Sequence, residues 1–178
     1  GNQIGALLID YILQMKQQQG TLPDNGIIIK TIVTSYLGGD IASRYGVETM
    51  DVLTGFKYIG EKIGEFERTP DGPRYMFGGE ESYGYLVNTS VRDKDAVSAA
   101  TMTAEVALYH RSQGRTLLDQ LNAIWKKYGY FEEALVTGTF KGESGLNTMK
   151  ALMEQLRKDP PSSLAGQTVS MVKDYRDG

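Results

Sequence analysis

The sequence predicts an α/β domain built as a three-layer α/β/α sandwich, with a small mixed sheet and helices on both faces. Three observations carry that expectation. Stretches with apolar residues at helical spacing alternate with short runs rich in Ile and Val. One of those runs, Gly26 to Thr34, is apolar enough to be buried on both faces, as a central strand must be. Hydrophobic residues at 40% and charged residues at 23% match ordinary globular domains and leave no room for a disordered or fibrous class.

In chain order, Ile4, Leu7, Leu8, Tyr11, Ile12 and Met15 recur at helical spacing and predict a first amphipathic helix. The central strand follows a turn at Pro23 to Gly26. A short helix over Tyr36 to Tyr45 ends at Gly46, and Glu48 to Leu53 reads as the next strand. Phe56 to Phe66 has weak helical character, and Pro70 to Pro73 turns the chain into a short strand, Arg74 to Phe77. Gly78 to Gly84 is then a loop. A long helix is expected from Asp93 to Ser112, with Asp93 as its cap and Gly114 as its stop.

Thr116 and Asp119 form a capping-box-like start for a helix whose stripe is Leu117, Leu118, Leu121, Ile124, Trp125 and Tyr128. Tyr130 to Phe140 reads as a strand, and Ser144 to Lys158 as a helix with Leu146, Met149, Leu152, Met153 and Leu156 facing inward. Pro160 and Pro161 break the chain, and Gln167 to Val172 is a strand-like stretch with no partner in sequence.

The net charge of -3, with both signs interspersed, shows no basic face for nucleic acid. Cysteine is absent, which removes disulfides, thiolate metal sites and a thiol nucleophile and fits a cytoplasmic location. No apolar run reaches the ~18 residues of a membrane span, so no membrane partner is expected.

Chemistry concentrates in Gly78-Gly79-Glu80-Glu81-Ser82-Tyr83-Gly84, at the carboxyl end of a predicted strand, where open α/β sheets bind ligands. Carboxylates accept from vicinal hydroxyls, serine can donate or accept, and glycine permits close approach, so Gly79, Glu80, Glu81 and Ser82 suit a sugar. The same residues read equally as a solvated acidic turn. Neighbours in extended chain point to opposite sides, so Glu80 and Glu81 are expected as hydroxyl acceptors and not as a proton-sharing pair.

Lys57 after Thr54-Gly55-Phe56, and Arg92 and Lys94 beside the long helix's start, could meet phosphate charge. Each also reads as an ordinary charged residue at a helix start. Asp93 and Asp95, separated by Lys94, make a poor metal site, and no metal is expected here. Walker, dinucleotide, nucleophile-elbow and zinc-helix motifs are all missing. His110, the single histidine, reads as a surface or helix-end residue, and no catalytic residue is expected in the chain.

Gly55-Phe56-Lys57-Tyr58-Ile59, Gly79-Glu80-Glu81-Ser82 and Arg92-Asp93-Lys94-Asp95, in this order and at these separations, resemble the third domain of the α-D-phosphohexomutases, the phosphoglucomutase and phosphomannomutase family. Gly1-Asn2-Gln3-Ile4-Gly5 resembles the segment after that family's metal-binding loop, and Val169 to Gly178 its run into the fourth domain. The likeness covers essentially the whole chain.

It implies a four-domain isomerase in which the first domain carries a phosphoserine, the second binds Mg²⁺, the third recognises the sugar and the fourth clamps phosphate. It also implies that Glu80 and Ser82 contact sugar hydroxyls while Lys57 and Lys94 serve orientation or phosphate charge. Residues 1-160 would then be the sugar-recognition domain, and 161-178 a linker and first strand toward a further domain. Partners would be a sugar phosphate, such as glucose 1- or 6-phosphate, and the other domains of the same polypeptide, with Mg²⁺ bound outside this chain.

Many relatives have Gly-His after the loop serine. Here Tyr83-Gly84 resembles the phosphoglucomutase branches, including those accepting phosphopentoses, more than the mannose or glucosamine branches. Two other readings compete: a free-standing, non-catalytic sugar-phosphate binding module, and a nucleotide-binding α/β domain, against which the missing phosphate-binding glycine loop argues.

Overall fold

The computed structural model describes residues 1–134 and 137–176, and the chain divides into two units, Gly1–Glu133 and Ala134–Gly178. In the first, α1 (Asn2–Gln18), β1 (Gly26–Thr31), α2 (Leu37–Arg44), β2 (Glu48–Val52), α3 (Phe56–Arg68), β3 (Arg74–Gly79), β4 (Tyr85–Leu86), α4 (Ala96–Ser112) and α5 (Leu117–Tyr128) follow one another. The sheet order is β2-β1-β3-β4, with β1 parallel to both neighbours and β4 antiparallel to β3.

β1 is central and all six of its residues are buried, as its Ile-rich sequence requires. Its side chains alternate between two cores. Ile28 packs with α1, α2, α4 and α5, while Ile29 packs with Phe56, Ile59 and Ile63 of α3, so helices cover both faces of a mixed sheet. The expected three-layer α/β architecture is present. Beside β1, β3 carries a bulge: Ile27 pairs with Tyr75 and Ile28 with Phe77. The extra residue, Met76, joins Phe77 in the four-helix core, whereas Tyr75 faces the α3 side.

Lys30 is the one charged residue of β1. Its ammonium is 2.8 Å from Asp51 Oδ1 and donates to the Thr34 carbonyl at 3.1 Å, so the buried charge is satisfied.

Several boundaries move from their expected places. β3 runs on to Gly79, because the return strand β4 pairs Gly78 with Leu86 and Gly79 with Tyr85, leaving 80–84 as the loop. The cap of α4 is Asp95 and not Asp93. Asp95 is extended (φ -121, ψ 102), and its carboxylate accepts from the Val97 amide at 3.0 Å. Its own amide donates to the Tyr85 carbonyl at 2.9 Å, which ties the helix start to β4. Asp93 instead accepts from the Lys94 amide. His110 is near the end of α4 but is no surface residue: it is 2% exposed, packed against Tyr109. The Thr116–Asp119 capping box of α5 forms as expected.

The described residues of the stretch Tyr130 to Phe140 are not a strand, and 135 and 136 lie outside the described residues. A strand needs a ladder partner, and no described strand pairs with it. Phe131 packs on the main core instead.

In the second unit, α6 (Gly142–Lys158) is followed by a hairpin of β5 (Ser163–Leu164) and β6 (Gln167–Thr168). The strand expected over Gln167 to Val172 is thus shorter than read and does have a partner. Ala165 and Gly166, at φ 48 and 77, make the two-residue turn that such hairpins favour. The α6 stripe expected to face inward is exposed: Leu146, Met149, Leu152, Met153 and Leu156 are 42 to 51% accessible. So short a unit does not enclose a core of its own. No helix among the described residues is long and apolar enough to cross a membrane.

Candidate functional site

Because β1, β2 and β3 run parallel, their carboxyl ends share one edge, and the loops leaving that edge meet. The loop after β3 is closed by the Glu80 amide donating to the Gly84 carbonyl at 2.8 Å, with Tyr83 in the left-handed region at φ 65. Tyr83 projects into solvent.

Glu80 and Glu81 diverge, as extended geometry requires. Glu80 is 8% exposed, and its Oε1 accepts from the Gly55 amide at 3.2 Å. Gly55 is the N-cap of α3, has φ 119 and offers no side chain, so Glu80 places the anion that the helix start favours. Glu81 turns toward the end of β1, where its Oε2 accepts from the hydroxyls of Thr34 (3.1 Å) and Thr31 (3.3 Å).

The other oxygen of Glu80 faces the loop's own glycine. A Cβ at Gly84 would lie 2.8 Å from Glu80 Oε2 and 3.2 Å from Lys94 Cδ, so the absence of a side chain there lets Glu80 and the Lys94 stem share one spot. Ser82 is exposed, and its hydroxyl bonds no other side chain among the described residues. Lys57, in the first turn of α3, is exposed, with its ammonium 4.8 Å from the Tyr58 ring centre. Neither Lys57 nor Lys94 makes an ion pair among the described residues.

Two predicted residues are occupied elsewhere. Arg92 pairs with Glu67 at 2.5 Å and donates to the Thr89 carbonyl at 2.5 Å. Glu67 lies twelve residues beyond Gly55, roughly 18 Å along the helix axis. Gly79 is buried in β3, where a Cβ would meet the rings of Phe77 at 3.1 Å and Tyr85 at 3.2 Å, so its smallness serves packing.

Gly55 and Gly84 stand within the motifs read from the sequence but without a role assigned to either, and Thr31 and Thr34 were not singled out. A glycine just before a weak helical stretch, and two threonines three apart at the end of a strand, were the available signals.

The described residues contain no group of three His, Cys, Asp or Glu able to hold a metal. Asp93 and Asp95 give their carboxylates to backbone amides, and the Asp95 carboxyl is held below its usual range by hydrogen bonds from Ser98 and the Val97 and Ser98 amides. These residues do not fit a magnesium site. What the edge does offer is carboxylate oxygens held in place, a free serine hydroxyl and two lysines, which together can accept hydrogen bonds from hydroxyls and meet an anion.

Residues 1–128 match the family model described as phosphoglucomutase/phosphomannomutase, alpha/beta/alpha domain III. A phosphoglucomutase of Staphylococcus epidermidis is 38% identical over 178 residues, 100% of this chain and 31% of the relative's length. One from Staphylococcus haemolyticus is 35% identical over 175 residues, 98% of this chain and again 31% of the relative. The chain therefore spans about a third of the curated relatives it matches. Among solved structures, the open form of the Paramecium phosphoprotein pp63/parafusin, a phosphoglucomutase, superposes with TM-score 0.57 at 18% identity, covering 88% of this chain and 26% of that one. That likeness speaks for the fold, while the family model covers the Glu80 loop and both lysines. The chain belongs to the phosphoglucomutase/phosphomannomutase family and carries its α/β/α domain III.

Proposed function

We propose that this chain is the sugar-recognition part of a phosphoglucomutase-type isomerase, which interconverts a sugar 1-phosphate and 6-phosphate, or a pentose 1- and 5-phosphate. Turnover would pass through a phosphoserine and a bisphosphate intermediate, with Mg²⁺ and the reacting groups supplied by other domains of the same cytoplasmic polypeptide. Residues 1–160 would form the recognition domain and 161–178 the passage to the next. Glu80, Glu81 and Ser82 take the sugar hydroxyls, Lys94 and Lys57 face phosphate charge, and the chain positions the sugar without reacting with it.

The observation that carries this reading is the clamped Glu80 carboxylate: one oxygen is fixed by the Gly55 amide, and the other stands beside Gly84 and Lys94. A carboxylate so held accepts a hydrogen bond from a hydroxyl without first losing side-chain freedom.

The test is kinetic, in a polypeptide of the relatives' length. Ser82→Ala removes an exposed hydroxyl and is expected to lower kcat/KM about fivefold, the worth of one hydrogen bond. Glu80→Gln removes a charged acceptor and should cost about tenfold to a hundredfold. Wild-type turnover in both variants, with unchanged melting temperature, rejects the assignment.

A further inference from the structure

A second polar cleft lies away from the Glu80 loop. It is bounded by α1, the residue after α2 and α5, and has a volume of about 380 Å³, within the range of small-ligand sites. α1 and α2 both end where the following strand begins, so the cleft sits toward the amino edge of the sheet, opposite the recognition loop.

Its floor is Asp10, the one acidic residue of α1, buried among apolar neighbours. Asp10 Oδ2 accepts from Gln120 Nε2 at 2.8 Å, and Gln120 Oε1 accepts from Arg115 Nη1 at 3.0 Å. This relay fixes both side chains. Lys127 stands at the rim, its ammonium 4.7 Å from the Tyr128 ring and 5.9 Å from the Tyr45 ring. The Tyr128 hydroxyl is shielded from bulk solvent beside the Tyr45 hydroxyl, which in turn neighbours Asp10.

We propose that this cleft binds a small phosphorylated polyol, with phosphate against Arg115 and Lys127 and hydroxyls against Asp10 and Gln14. The arrangement selects that class. Two cations at the mouth suit an anion, but a carboxyl at the floor repels one, so the charged end stays outside and the neutral hydroxylated end goes in. Asp10 accepts from Gln120 and can accept from an alcohol in the same way, and burial raises its pKa.

The probe is glycerol 2-phosphate, which has no sugar ring for the mutase chemistry, titrated into the ¹⁵N-labelled chain with amide shifts as readout. The shifts expected to move are those of Gln14, Tyr45, Ala123 and Lys127, saturating in the millimolar range, with glycerol alone and inorganic phosphate each binding about tenfold more weakly. Arg115→Ala should weaken the titration about tenfold, and Lys127→Ala, at an exposed position, provides a second variant should the first not fold. Movement confined to residues 79–84, equal binding by inorganic phosphate, or identical titrations in the variants overturns the proposal.

Discussion

At the scale of single residues, the candidate site depends on places where a side chain is absent or buried. Gly55 has φ 119, and a Cβ there would meet only the Tyr58 ring, at an ordinary 3.9 Å, so Gly55→Ala meets backbone strain and not collision. A loss of about 1 to 2 kcal/mol in unfolding free energy is expected by denaturant titration. At Gly84 the reverse holds: an added methyl would collide with the clamped Glu80 carboxylate at Oε2 and crowd the Lys94 stem. Gly84→Ala should therefore disturb the Glu80–Gly55 contact, costing about 1 kcal/mol of stability, and lower kcat/KM in the longer polypeptide as Glu80→Gln does.

His110 links structure to pH. Burial, and then the Arg115 charge, hold its pKa below the ordinary 6.5. The unfolded chain takes up a proton first as pH falls, so this contribution is complete above 6.5 and is lost as pH falls through the folded value. Melting temperatures measured between about pH 8 and 5 should fall toward the acid end, and His110→Gln should flatten that fall. The loop itself was legible, since glycines flanking two carboxylates and a serine are unusual in any α/β sequence. The partners of its carboxylates were not, because Gly55, Thr31 and Thr34 reach them only through the sheet order β2-β1-β3.

At the scale of elements, what could be read was whatever local chemistry decides. Gly46 and Gly114, both at φ 71, stop α2 and α4 where a positive φ is needed, and Thr116 with Asp119 starts α5. Thr116→Ala should cost about 1 kcal/mol of stability, checked by chemical denaturation. What could not be read depends on a partner distant in sequence. The two residues of β4 are too few to show a period, and they exist because β3 offers them an edge. The alternation in Tyr130 to Phe140 is real in the sequence, yet alternation alone supplies no ladder. Likewise the α6 stripe has helical period, but period does not say what covers it. In the chain as it stands, Leu152→Lys should change stability by less than about 0.5 kcal/mol, as a surface substitution does.

At the scale of the molecule, a mixed sheet with helices on both faces gathers three loops at one edge and leaves the chemistry to them. A net charge of -3 gives no overall field to draw in a phosphate, so any anion must be met locally, by Lys57, Lys94 and the start of α3. With a handful of hydrogen bonds each worth about 0.5 to 1.5 kcal/mol net, the chain by itself should hold glucose 6-phosphate no tighter than about 1 mM, as calorimetry can show.

The central claim is that Glu80 grips a sugar alcohol, and its most direct test crosses Glu80→Gln with singly deoxygenated analogues of glucose 1-phosphate in a polypeptide of the relatives' length. For at least one analogue, the two losses in kcat/KM should fail to add, with a coupling of about 1 kcal/mol or more. Losses that add for every analogue would mean that Glu80 touches no hydroxyl of the sugar.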